Sequence, residues 1–394
     1  MRARVYLDWN GSAPLLPEAK AAMDAVLAEA ASSGLNASAV HGAGRVARRF
    51  VDEARSQIAK AVNARPAQVI FTSGGSEANA LALRGAIEAA AMEGQRMTRL
   101  FVSAIEHDSI GGWASHLAET VPGLRVDVIP VTRDGVVDLD ALAVMLREGK
   151  GRTLISVMQA NNETGAIQPL SRVAGMAREY GAIVHTDAAQ ALGRMDIDFA
   201  ALGVHMMTLS AHKAGGPHGA GALIVRDDVK LAPQMRGGGQ EGFRRAGTEN
   251  VAAIAGFGAA AAYSRTPHDM ATFRDEMETE ILARVPDAII HSKGAPRLCN
   301  TSLIGHAGLD AETQVMAMDL AGFCVSAGAA CSSGKVKPSH VLASMGLSAD
   351  AARSAIRISI GRTTARADLV RFVDAWAQHV ARAVRVPAVA GGAR

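Results

Sequence analysis

The chain of 394 residues is poor in the features that mark small stapled, fibrous or membrane proteins. It has only three cysteines, Cys299, Cys324 and Cys331. Their spacing fits neither a disulfide framework nor a zinc pattern, so a reducing compartment and no metal are expected. Aromatic residues make up 4%, and no basic run carries interleaved aromatics, which argues against a nucleic-acid partner. Charge of one sign is also lacking, since 41 basic against 38 acidic residues leave +3 over the whole length. Such a weak field steers no polyanion. Apolar stretches such as 251–263 are rich in alanine and glycine and too short for a bilayer. The opening MRARVYLDWN has no apolar core of signal-peptide length. Together these absences lead to the expectation of a soluble, cytoplasmic protein.

What is present is a large apolar share, 49%, with 40 glycines in no collagen-like period. A chain of this length should bury about three quarters of its unfolded surface and form two domains. Seven short runs read as strands: 69–72, 100–103, 126–130, 154–157, 183–186, 206–209 and 222–225. They are near-continuously apolar, as strands buried on both faces are. Helical patterns at 76–92, 107–118, 139–147 and 170–180 alternate with them, which predicts an α/β layered domain with a mostly parallel seven-stranded sheet. Beyond 251 the texture changes to helical patterns at 248–264, 270–283, 311–320 and 367–383. Short strands are expected among these, around Ile289, Ser302, Cys324 and Ile358. We expect a large domain over 15–257 and a smaller α+β domain from 1–14 and 258–385, with 386–394 as a frayed tail. Periodicity does not decide where the first dozen residues pack.

Several stretches could carry chemistry. In MMTLSAHKAGGPHGAGAL a strand runs out into Ser210, His212 and Lys213 before a glycine-rich turn. A lysine at a strand end is a Schiff-base candidate, and Ser210 and His212 could bond a phosphate. A surface lysine in a glycine loop is the plain alternative. In IVHTDAAQ, Asp187 closes a strand where ligands of open α/β sheets sit. A carboxylate there could pair with a pyridinium nitrogen, or it could cap a following helix. In FTSGGSE a strand, a Gly-Gly turn and a helix start make a generic phosphate seat. His107 opens a helix just past another strand and points to the same edge. Arg357, between apolar residues, needs a carboxylate partner, from a substrate or from a salt bridge. Cys299 and Cys324 read as buried small hydrophobes. Cys331, among glycine, alanine and serine, reads as an exposed reactive thiol.

Taken together, FTSGGSEAN, IEH, QANNETG, HTDAAQ, SAHKAGGPHG, RAGTEN, SAGAACSSG and IRISIGR resemble, in order, the group I (NifS/IscS-like) cysteine desulfurases. These are fold-type I enzymes dependent on pyridoxal 5'-phosphate (PLP), in the class V aminotransferase superfamily. The resemblance runs from Tyr6-Leu7-Asp8 to about Arg362. It implies that Lys213 binds PLP covalently, Asp187 faces the pyridine nitrogen, His107 stacks on the ring and Gln190 reaches the phenolic oxygen. Gly75, Ser76, Ser210 and His212 would hold the phosphate, and Thr248 would reach the phosphate of the other subunit of a homodimer. Arg357, with Asn162 and Asn36, would clamp the carboxylate of L-cysteine. Cys331 would take the sulfur as a persulfide for an acceptor such as an iron–sulfur scaffold, with His107 as acid and base for the thiols. The chain departs from the usual family pattern over Asp8–Pro14, after Asn36, and at Ala214 and His218. Ser76 keeps the hydroxyl of the common threonine. The rival readings are a selenocysteine lyase or another aminotransferase-like enzyme on the same fold, and a non-catalytic sulfur-trafficking dimer.

Overall fold

The computed structural model describes residues 4–149, 151–264, 269–328 and 338–385. It divides into two units, Ser12–Asn162 with Ala166–Thr266, and Met1–Gly11 with Glu163–Gly165 and Pro267–Arg394.

In the larger unit the seven expected strands form one sheet. They are β2 (Val69–Thr72), β3 (Met97–Ser103), β4 (Arg125–Ile129), β5 (Arg152–Ser156), β6 (Ile183–Asp187), β7 (Met206–Ser210) and β8 (Gly221–Val225), in the order β2-β8-β7-β6-β5-β3-β4. Only β8 runs against the rest. The strands β2, β6, β7 and β8 are buried throughout, with the polar His185, Thr186 and Asp187 of β6 buried among apolar neighbours. The expectation fails for β4, which is the exposed edge. There Asp127 ties Arg99 and Arg125 in a charged cluster, a common guard on an unpaired strand. At the other edge, the Phe71 N–H of β2 donates to Glu241, which Arg55 holds at 2.6 Å.

Helices cover both faces. On one, α3 (Gly75–Met92) and α4 (Asp108–Thr120) pack Leu81, Leu83, Ile110 and Leu117 onto Leu100, Leu154 and Leu223. On the other lie α2 (Gly42–Ala61), α5 (Leu139–Glu148), α6 (Leu170–Glu179) and α8 (Val251–Tyr263). The helices α1 (Pro17–Ser32) and α2 precede the first expected strand and add to the expected set. The α2 stripe of Ala47, Val51, Ala54 and Ile58 repeats at helical spacing and is buried. Apolar on every side, α8 is buried between α1 and α2. A Cβ on its Gly258 would fall 2.5 Å from Ala54 Cα, so the small residue permits the close crossing. A short helix, α7 (Phe199–Leu202), follows β6.

In the smaller unit, β1 (Val5–Tyr6) lies parallel to β11 (Phe323–Cys324), which gives the first residues their place. A four-stranded sheet follows the order β12-β13-β10-β9, formed by Ser326–Ala327, Ala355–Ser359, Thr301–Gly305 and Ile289–Ile290. Against it pack α9 (Met270–Arg284), α10 (Ala311–Leu320) and α13 (Arg366–Arg385), with Ile281, Phe372 and Trp376 in the core. The short helices α11 (His340–Ser344) and α12 (Ala349–Arg353) complete it. The junctions lie at 11/12 and 266/267, beside the expected 14/15 and 257/258. The later one falls after α8 because that helix belongs to the core of the larger unit.

Candidate active site

Because β2, β6 and β7 run the same way, their carboxyl ends meet at one edge of the sheet. The ladder sets Thr72 opposite Gly221, Gly221 opposite Ser210, and Thr208 opposite Asp187. The loops leaving that edge bear the Gly74–Ser76 turn, the Ala211–Lys213 turn of 3-10 helix and Asp187. Gly221 lets the first turn come close, since a Cβ there would sit 2.6 Å from the Gly74 carbonyl carbon. The Glu77 carboxylate of α3 closes the same turn, accepting from Ser73 N at 2.8 Å and from Arg245 Nε at 2.8 Å. Burial pushes the Glu77 pKa up, but Arg245 and the Ser73 hydrogen bonds outweigh it and hold it below the usual carboxylate value. The N–H groups of the first turn of α3 have no intrahelical partner, and the helix dipole favours an anion there. Ser210 is buried beside Gly75, whereas Ser76 is exposed.

Asp187 is buried and accepts on both oxygens, from Asn79 Nδ2 at 2.8 Å and from Ala189 N at 2.9 Å. No helix follows it, so its local bond is a two-residue turn and the capping alternative does not apply. His185 lies two residues earlier, between Ser156 Oγ at 2.9 Å and Thr208 Oγ1 at 3.0 Å. Burial pushes its pKa down to about 4, so it is neutral at pH 7. The Glu106 carboxyl is buried as well and takes the Met158 N–H at 2.6 Å. Burial, then the negative charge of Asp187, raises its pKa well above the usual range.

His107 caps α4, and its Nδ1 takes the Ser109 N–H at 3.1 Å. Lys213 and Gln190 leave neighbouring strands and are joined by Arg194. Its Nη1 donates to Gln190 O at 3.1 Å and its Nη2 to Lys213 O at 2.9 Å. His212 Nδ1 lies 3.2 Å from Ser12 Oγ, and the ring stacks on His218 with centroids 5.0 Å apart. Burial, then the Lys213 charge, takes the His212 pKa down to about 4. Thr248 is exposed, three residues from the Arg245 that grips Glu77. Asn162 is half-buried. Asn36 is exposed in the loop between α1 and α2, and its Oδ1 accepts the Ser38 N–H at 2.9 Å.

In the smaller unit Arg357 is buried on β13, and its Nη2 meets Asp8 Oδ1 at 2.6 Å. An ion pair with Asp8 thus supplies the carboxylate that sequence predicts for this arginine. Cys299 and Cys324 are half-buried rather than buried, because each lies at the margin of the small core. Cys331 lies outside the described residues. Sequence reasoning missed Asn79, Ser109, His185, Glu106 and Arg194. The signal for His185 was available, since alternate residues of a strand share a face and His185 is two from Asp187.

The donor set suits PLP: a helix N-terminus and Ser210 for phosphate, Asp187 for a ring nitrogen, and a lysine in the turn that follows the next strand. Among the described residues no helix is long and apolar enough to cross a membrane. Residues 5–372 match the Aminotransferase class-V family. An IscS-like cysteine desulfurase of Mycobacterium tuberculosis is 37% identical over 98% of this chain and 99% of its own. A cysteine desulfurase of Cereibacter sphaeroides is 40% identical over 94% of each. The solved NifS-like protein of Rickettsia africae superposes with a TM-score of 0.84 at 32% identity, over 96% of this chain and 99% of that one. The chain therefore belongs to the aminotransferase class-V family, among its IscS/NifS-like, PLP-dependent cysteine desulfurases.

Proposed function

We propose that this chain converts L-cysteine to L-alanine and carries the sulfur away as a persulfide on Cys331. The observation that carries the reading is a buried carboxylate, Asp187, and a lysine, Lys213, at the ends of neighbouring parallel strands. When bound there, PLP supplies an electron sink for bonds at the α- and β-carbons of the substrate. Lys213 would be its covalent anchor, and Asp187 would hold a proton at the ring nitrogen. Gln190 would bond the phenolic oxygen, while Gly75, Ser76, Ser210 and His212 would hold the phosphate. Arg357, with Asn162 and Asn36, takes the substrate carboxylate. His107 would stack on the ring and move protons to and from the thiols. The Cβ–S bond of the substrate breaks, a sulfur–sulfur bond to Cys331 forms, and hydrogen returns to carbon. One cysteine and one thiol thus give one alanine and one persulfide, with no outside oxidant.

The sulfur then passes to an acceptor thiol or protein, such as a scaffold for iron–sulfur clusters. The exposed Thr248, on a segment anchored to the phosphate turn through Arg245 and Glu77, supports a homodimer in which each Thr248 reaches the other subunit's phosphate. Three cysteines that fit no disulfide framework support work in a reducing compartment such as the cytoplasm. The test is peptide mass spectrometry of the PLP-loaded protein after L-cysteine without reductant. One added sulfur on the Cys331 peptide is expected. An unmodified Cys331 in protein shown to carry PLP would overturn the reading and turn attention to selenocysteine or another amino acid.

A further inference from the structure

The roles above leave one buried amide without work. Asn79 sits on α3 one helical turn after Gly75 and is 1% exposed. Its Nδ2 lies 2.8 Å from Asp187 Oδ2 and 2.8 Å from Ser109 Oγ. An amide nitrogen carries two hydrogens, so both contacts are donated. The opposite setting would aim the amide oxygen at a carboxylate, acceptor against acceptor, so Asp187 decides which end is nitrogen. Ser109 Oγ, having accepted from Asn79, turns its own hydrogen toward His107 Nδ1 at 2.9 Å, where the Ser109 N–H also points. With Nδ1 an acceptor, the hydrogen of the neutral imidazole is on Nε2. Asn79 Oδ1, by contrast, is buried with no hydrogen-bond partner among the described residues. A buried orphan acceptor is costly, and an apolar side chain would fill the space without it.

We propose that Asn79 is a positioning residue for the cofactor. Through the two hydrogens of one amide it holds the Asp187 carboxylate and, by way of Ser109 Oγ, the setting of the His107 ring, whose tautomer the Ser109 N–H already fixes. This rests on the reading that Asp187 faces the pyridine nitrogen and His107 the ring.

The test uses the full-length protein with PLP titrated back, following affinity, the visible band and the ¹⁵N shifts of the His107 ring. Asn79→Leu should bind PLP about ten- to a hundredfold more weakly, the scale of one lost hydrogen bond to a charged group. It should also move the band and the His107 shifts, although Asn79 does not touch His107. Ser109→Ala should move the His107 shifts and leave PLP affinity within a few-fold. Wild-type affinity and band in Asn79→Leu, or a weakened affinity with unmoved His107 shifts, overturns the proposal. Should Asn79→Leu fail to fold, Ser109→Ala decides, and unmoved His107 shifts overturn it there. Asp187→Asn separates the two layers. If it too binds PLP like the wild type, the reading of Asp187 falls. If it does not while Asn79→Leu does, only the part given to Asn79 falls.

Discussion

A methyl group on Gly221 tests how the phosphate turn is held. A Cβ built there falls 2.6 Å from the Gly74 carbonyl carbon, 2.7 Å from its Cα and 2.9 Å from its oxygen. The obstacle is backbone, which cannot rotate away. Gly221 stands between Thr72 and Ser210 in the ladder, so either β8 parts from its neighbours or the Gly74 turn lifts. Overpacking of this kind costs about 1–3 kcal/mol, while the stiffer unfolded chain returns about 0.4–1 kcal/mol. The net loss, roughly 1–2 kcal/mol, lowers the melting temperature by about 1–4 °C in a chain of this size. A lifted turn also misaims the first N–H groups of α3, so Gly221→Ala should bind PLP several-fold more weakly. The assay is thermal unfolding of the apo-protein followed by PLP titration. Gly112→Ala is the control, since it is exposed on α4 with nothing within 4 Å of its built Cβ. It should gain about 0.5–1 kcal/mol, as alanine does over glycine within a helix. Wild-type melting and wild-type PLP affinity in Gly221→Ala would refute the close-approach argument.

His185 makes stability depend on pH. Its folded pKa of about 4 lies below the 6.5 of the unfolded chain, so the unfolded state takes a proton first and stability falls as pH drops from 6.5 toward 4. At pH 5 that one group costs about 2 kcal/mol, and His185→Gln should flatten the change in apo-protein denaturant stability between pH 7 and 5 by that amount. Equal pH slopes would show that the imidazole is not buried as described. Arg194→Met removes two buried charged donors, to Gln190 O and Lys213 O. PLP affinity should fall about tenfold or more, and an unchanged affinity would mean the two loops hold themselves. Lys213→Ala should yield protein that borohydride cannot trap as a PLP adduct; a yellow, reducible variant would remove Lys213 from its role.

The strands that aim the site were legible because burial on both faces leaves a continuous apolar run, as at 206–209 and 222–225. The same rule misread 126–130, where Arg125 and Asp127 alternate with apolar residues because β4 is an edge. Lys213 and Asp187 stood out as polar residues just where such runs end. The groups that hold them in place did not. Asn79 meets Ser109 and Asp187 only because α3, α4 and β6 converge, at sequence separations of 30 and 108 residues. Arg194 reaches two carbonyls of different loops, a contact with no period. Periodicity shows which face of an element is buried, but a hydrogen bond between two elements depends on their relative placement, and one sequence does not contain it.

Burial also decides which charges the site keeps. His185 and His212 are pushed toward their neutral forms first by desolvation, and Glu106 toward its acid form by the same cause. Two N–H donors stand on Asp187 in place of water, and its negative charge adds to the burial that raises Glu106. The charge of Lys213, in turn, helps keep His212 neutral. Asp187 and Lys213 thus set a carboxylate and an amine at the ends of adjacent strands, beside the partial positive charge of a helix N-terminus. That is the complement of a molecule with a protonated ring nitrogen, a carbonyl that condenses with an amine, and a phosphate. Asn79 belongs to this logic: by donating to Asp187 rather than charging it, a neutral amide stabilises the anion without cancelling the field that the ring nitrogen must feel.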